Sequence, residues 1–156
     1  MNTLTETETI RHILAHHRTV AVVGLSPKTH RDSYEVAQYM QAQGWRIIPI
    51  NPNATEILGE KAHPTLTAAA QHETIELVDV FRNSADVPPV VDEAMAIGAK
   101  AVWLQLGIAH EAAAKKAREA GLLVVQNKCL LVEHRRSPPG GSSSRPRPSA
   151  FSPSPT

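Results

Sequence analysis

The 156-residue chain carries 16 Lys+Arg against 15 Asp+Glu, a formal net charge of +1, and one cysteine. That length suits one domain with an ample core, and the near-neutral charge gives no electrostatic case for general nucleic-acid or membrane-surface binding. A single cysteine excludes an intramolecular disulfide, no Cys/His spacing points to zinc, and there is neither a signal-peptide core nor an apolar run of ~18 residues; a soluble cytoplasmic protein is expected.

Thr3–Arg18 reads as a short amphipathic helix, with Ile10, Ile13 and Leu14 on one face and Thr5, Thr7 or Thr9 as its cap. His12, His16 and His17 fall partly on its outer side, without the spacing a metal site needs. Val20–Val23 is a β-branched apolar run, too short for a helix and suited to a strand buried on both faces. Gly24 follows, where the chain must turn tightly or let a ligand approach its backbone. A polar loop with Ser26, Lys28, His30, Arg31 and Ser33 leads into the helical pattern from Tyr34 to Met40. Asp32 and Glu35 resemble a capping box, and Gly44 supplies the helix stop.

Trp45–Ile50 is the second strand, ended by the turn pair Asn51-Pro52. Residues 53–63 form a loop with at most a short extended piece, and Thr65–His72 makes a short helix. Glu76–Phe81 is the third strand, followed by a polar turn at Arg82-Asn83 and a helix over Pro88–Ile97 with proline in its first turn. Ala101–Leu104 is the fourth strand, closing on Gln105-Leu106-Gly107, and His110–Ala120 is an Ala/Lys-rich helix stopped by Gly121. Leu122–Gln126 is the fifth strand and Lys128–Arg135 the last helix. From Ser137 the chain is Pro/Ser/Gly-rich and nearly without apolar residues, so residues 137–156 read as a disordered tail to a domain spanning 1–136.

Five strands alternating with helices require parallel pairing and right-handed crossovers, hence an α/β, Rossmann-like, doubly wound five-stranded sheet of expected order 3-2-1-4-5. Ligands sit beyond the carboxyl ends of such strands where the order reverses, here between the first and fourth strands. Strand, glycine turn and helix N-terminus at Thr19–Tyr34 form a cradle in which free amides and the helix dipole receive a phosphate. The loop reads Gly24-x-Ser26 and lacks the second and third glycines of a dinucleotide site. Asn51-Pro52 stands where an NAD site places a carboxylate, and Lys28 and Arg31 offer cations for a ligand with more charge than one pyrophosphate. A 3′-phosphorylated ADP group meets all three conditions; NAD meets fewer.

The segments VAVVGLSPKTHRDSYEVAQYM, IPINPN, VDVFR, VWLQLGI and VQNKCLLVEH resemble, in that order, the small stand-alone CoA-binding proteins. These are single Rossmann-like domains related to the CoA-binding domain of the succinyl-CoA synthetase α subunit. The similarity covers roughly residues 10–136. It implies a binder of CoA or acyl-CoA without an assigned reaction. Gly24, Leu25 and Ser26, with Lys28, Arg31 and Ser33, would hold the phosphates. Asn51 and Pro52 would border the ribose or adenine, and Phe81 and Arg82 would line the adenosine slot. Gln105, Leu106 and Gly107 would run beside the pantetheine or adenine edge. Ser26-Pro27 replaces the synthetase's Thr-Gly pair.

Each residue also has a plainer role. Gly24 can serve only as a turn, Lys28 and Arg31 as solvated loop charges, and Asn51-Pro52 as turn chemistry. Trp103 and Phe81 read first as core aromatics. Cys129 is either a small buried residue or a thiol placed for a mixed disulfide with CoA, the latter requiring Lys128 or the helix N-terminus to lower its pKa. Two enzymatic alternatives stand beside the binding module: a component of an acyl-CoA ligase or transferase system, and an NAD(P)-dependent enzyme. The partner expected is a small CoA-type ligand.

Overall fold

The computed structural model describes residues 4–137, so the tail assigned to 137–156 lies, Ser137 apart, outside the described residues. In chain order the elements are α1 (Glu6–His16), β1 (Thr19–Val23), α2 (Asp32–Ala42), β2 (Arg46–Ile50), β3 (Glu56–Ile57) and β4 (Glu60–Lys61). There follow α3 (Leu66–Ala70), β5 (Leu77–Val80), a 3₁₀ turn at Ser84–Asp86, α4 (Val87–Ala96), β6 (Ala101–Leu104), α5 (Glu111–Glu119), β7 (Leu123–Val125) and α6 (Leu130–Arg136). No described helix is long and apolar enough to cross a membrane.

The local rules account for most of these boundaries. Of the three candidate threonines Thr5 is the cap, and Thr7 and Thr9 lie within α1. Its hydroxyl accepts from the Glu8 amide at 3.1 Å, while the Glu8 carboxylate accepts from the Thr5 amide at 2.8 Å. The capping box expected at Asp32 is absent. Arg31 is the N-cap and makes no side-chain cap bond, Asp32 being already the first helical residue. The first intrahelical bond runs from the Glu35 amide to the Arg31 carbonyl at 3.1 Å, which leaves the Asp32 carboxylate to face the helix dipole.

Five parallel strands make the main sheet in the order β2-β1-β5-β6-β7, and β3-β4 form a separate two-stranded antiparallel piece within the expected 53–63 loop. The doubly wound class is as expected, but the long third strand is not at the edge. Leu77–Val80 pairs with β1, Ala21 opposite Val78, so the reversal falls between β1 and β5. The edge beside β2 is held by one parallel bridge, Ile50 to His63. Counting that bridge as a rudimentary third strand gives 3-2-1-4-5 with β7 beyond. Pro49 explains why no long strand lies there. Its carbonyl accepts from the His63 amide at 3.0 Å, so its ring nitrogen also faces the outer edge and offers no donor.

Alternate strand residues feed two cores. Ala21, Val23, Val78, Val80, Val102 and Leu104 pack under α3, α4 and α5. Val20, Val22, Leu77, Ala101 and Trp103 pack under α1, α2 and α6. Asp79 takes the place of an apolar residue on the second face, opposite Val22 on one side and Trp103 on the other.

Candidate ligand-binding site

A cleft of about 730 Å³ opens beyond the carboxyl ends of β1, β5 and β6, at the reversal of strand order. One wall is the turn after β1 and the first turn of α2; the floor and far wall come from the residues after β5 and β6 and the start of α6.

The turn after β1 is set by close backbone approach. Gly24 has φ +87°, and a Cβ built on it would lie 2.4 Å from the Phe81 carbonyl oxygen, so only glycine fits between β1 and the end of β5. The loop's amides are not a free nest. The Gly24 amide donates to the Ile50 carbonyl at 3.0 Å, the Ser26 amide to Ser33 Oγ at 3.0 Å, and the Lys28 amide to Ser26 Oγ at 3.0 Å. Ser26 and Ser33 thus brace the loop before any ligand arrives. What remains open is the N-terminus of α2, where Asp32, Ser33 and Tyr34 precede the first intrahelical bond and no side chain caps the helix.

Arg31 and Arg82 both line the cleft, and their guanidinium groups make no hydrogen bond or ion pair among the described residues. Asp32 and Glu35 line it as well, balancing the two arginines in formal charge. An anion here would be recognised by directed N–H groups rather than by a broadly positive field.

The opposite wall is built by side chains tying two loops together. Asn127 Oδ1 accepts from the Gly107 amide at 2.6 Å, and Gln105 Oε1 accepts from the Leu130 amide at 3.0 Å. Trp103, fully buried, donates its indole N–H to the Lys128 carbonyl at 2.9 Å. Trp103 is thus a core residue. Phe81 is half-buried and lines the cleft, and Cys129 lines it with no hydrogen-bond partner for its thiol among the described residues.

The structure therefore gathers Gly24, Ser26, Arg31 and Ser33 with Phe81 and Arg82, and adds Gln105, Leu106, Gly107 and Cys129. It does not bring in four residues named from the sequence. Leu25 is buried in the core, and Lys28 is exposed on the loop outside the cleft. Asn51 lies beyond β2, where its Nδ2 donates to the Leu25 carbonyl at 2.9 Å and its Oδ1 accepts from the Asn53 amide at 2.7 Å. Those bonds use it as a turn clamp, and Pro52 sits at the tip of the same turn, away from the cleft. Residues the sequence reading missed include His30, Ser84, Leu131 and Val132. For Leu131 and Val132 a signal existed: Leu130-Leu131-Val132 are consecutive, and one helix face cannot bury all three.

Beneath this floor, Asp79 is fully buried and neither carboxylate oxygen has a partner among the described residues. Burial raises its pKa well above the usual carboxylate range, outweighing a smaller opposing pull from the Val80 backbone.

Residues 18–135 match the CoA binding domain family model. The chain is 38% identical over 125 residues to the uncharacterized protein YneT of Bacillus subtilis (strain 168), covering 80% of this chain and 91% of that one. A hypothetical protein from Pyrococcus horikoshii OT3 superposes with TM-score 0.79 at 40% identity, covering 86% of this chain and 92% of that one. A Thermus thermophilus protein gives TM-score 0.78 at 35% identity, covering 85% and 98%. On the family match and these identities, the chain belongs to the CoA binding domain family.

Proposed function

We propose that the protein is a CoA-binding module without turnover of its own, holding the ligand's phosphates at the open N-terminus of α2. The observation that carries this reading is the pairing of that uncapped helix start with two unpartnered guanidinium groups, Arg31 and Arg82, on one cleft. Amides without intrahelical acceptors and a helix dipole suit a diphosphate. Two free arginines suit the additional 3′-phosphate, which they can take in bidentate fashion. Ser26 and Ser33 fix the loop, Phe81 offers a ring face to the adenosine, and the Gln105–Gly107 turn borders the pantetheine arm.

The non-catalytic reading rests on the lining itself. The Cys129 thiol and the hydroxyls of Ser26, Ser33 and Ser84 line the cleft, and among the described residues no base hydrogen-bonds to any of them. The reading as an NAD(P) enzyme is disfavoured because the side chain at the end of β2, Asn51, is spent on the Leu25 carbonyl and the Asn53 amide.

Calorimetric titration with CoA and 3′-dephospho-CoA tests the assignment. CoA should bind about tenfold tighter or more, the loss expected when charge-assisted bonds to one phosphate are removed. Equal affinities would take the arginines out of the site, and steady-state thioester formation with a nucleoside triphosphate would end the non-catalytic reading.

A further inference from the structure

The cleft is chemically two-ended. The two free guanidinium groups and the open helix start belong to the β1 and β5 side. Its other side is apolar: Leu106 and Ile108 come from the turn after β6, Leu131 and Val132 from α6. Leu106 is 69% exposed and Val132 36%. Together they are two of the three exposed large apolar side chains among the described residues, and both border this one cleft.

Leu106 is not exposed because its loop is slack. The Ile108 amide donates to the Gln105 carbonyl at 2.9 Å and Gly107 has φ +85°, which makes Gln105–Ile108 a tight turn with glycine at its third position. Asn127 Oδ1 clamps the Gly107 amide, the Asn127 amide donates to the Ile108 carbonyl at 3.0 Å, and Gln105 is buried and bonded to α6. Leu106 occupies the second turn position, which ordinarily carries a polar residue or proline when it faces water. Here the scaffold holds a leucine outward over the cleft. Apolar surface presented so firmly at a ligand site is surface for the ligand to cover.

We infer that the ligand is a neutral aliphatic acyl thioester of CoA, whose acyl chain lies on the shelf formed by Leu106, Ile108 and Val132. This deepens the CoA-binding reading and rests on it. A free thiol would leave the shelf in water, and a dicarboxylic acyl group would place a charge against it.

The test is a calorimetric series on the full chain with CoA, acetyl-CoA, butyryl-CoA, hexanoyl-CoA and succinyl-CoA. Complete burial of a methylene corresponds to a roughly fourfold gain in affinity, and an open shelf covers about half of it, so about twofold per methylene is expected. Hexanoyl-CoA should then bind about 16-fold tighter than acetyl-CoA, with succinyl-CoA weaker than butyryl-CoA. Leu106→Ser should flatten the dependence on chain length. Because Leu106 is exposed, that change leaves the core intact; the wild-type series is decisive even without it.

Equal affinity for CoA and all the acyl-CoAs would overturn the inference and leave CoA binding standing. Failure of every ligand, CoA included, would overturn both. The two failures are therefore distinct.

Discussion

Gly24 and Gly107 close the two sides of the cleft with almost the same backbone angle, φ +87° and +85°, yet they are glycine for different reasons. A side chain at Gly24 would run into the Phe81 carbonyl at 2.4 Å and its carbon at 3.2 Å, whereas one at Gly107 would meet nothing within 4 Å. The first turn is fixed by backbone lying on backbone. The second is fixed by hydrogen bonds, above all from Asn127. One side of the cleft is thus a product of sheet packing and the other of side-chain choice, and only the second can be altered without moving a strand.

Gly24→Ala should be the most damaging single change at the cleft. The substitution imposes left-handed strain of about 1 kcal/mol and a contact that only a shift of β5 can relieve, for a combined loss of about 3 kcal/mol or more. Urea denaturation measures it. A loss below about 1 kcal/mol would mean that Phe81 yields freely, and the contrast between the two turns would vanish.

Asp79 sits midway between the turns, opposite Val22 on the β1 side and Trp103 on the β6 side. Its orphaned carboxyl weakens the frame on which both depend. Replacing it by a residue that suits a buried strand, Asp79→Val, should raise stability by about 1–3 kcal/mol at neutral pH. The pH dependence has a definite sign. Burial raises the folded-state pKa, so the folded protein keeps a proton that the unfolded chain releases. The protonation-linked stability is fully present below the unfolded carboxylate pKa and is lost as pH rises from there through the folded value. Relative to Asp79→Asn, which cannot titrate, wild type should lose about 1.4 kcal/mol per pH unit across that window. A flat difference curve between pH 4 and 8 would mean the carboxyl has found a partner.

The sequence was legible wherever one local rule decided the outcome. β-Branched runs marked the five long strands, and Gly24 marked the first turn, because burial and positive φ each act on few residues. Strand order was not legible in the same way. It turned on Pro49, whose missing donor matters only once the direction of its carbonyl is known. The cleft wall after β1 was half legible: a helix starting near Asp32 followed from pattern, but the loop amides are taken by Ser26 and Ser33, and a bond spanning seven residues leaves no local signature. Asn51, which does not line the cleft, was ambiguous for the converse reason. The Asn-Pro-Asn run fits a turn clamp as well as a ligand contact, and only the 2.9 Å bond to the Leu25 carbonyl separates them. The apolar side of the cleft was the least legible part, since Leu106 becomes informative only when its exposure and its bracing are seen together.

The mildest test acts on the second turn and sharpens the comparison most directly. Gly107→Ala meets no atoms and incurs only the left-handed φ, so a loss of about 1 kcal/mol is expected. Asn127 itself has φ +57°, a conformation that asparagine tolerates better than most side chains, and its Oδ1 is the clamp on the Gly107 amide. Asn127→Gly keeps the backbone angle and removes the clamp, while Asn127→Ala removes the clamp and adds strain. The difference between these two variants is therefore the strain alone, about 1 kcal/mol, and should match the loss at Gly107→Ala. Denaturant midpoints of the three proteins check that equality. If Gly107→Ala instead behaves like Gly24→Ala, the second turn too is held by packing, and the division of the cleft into a steric side and a hydrogen-bonded side is wrong.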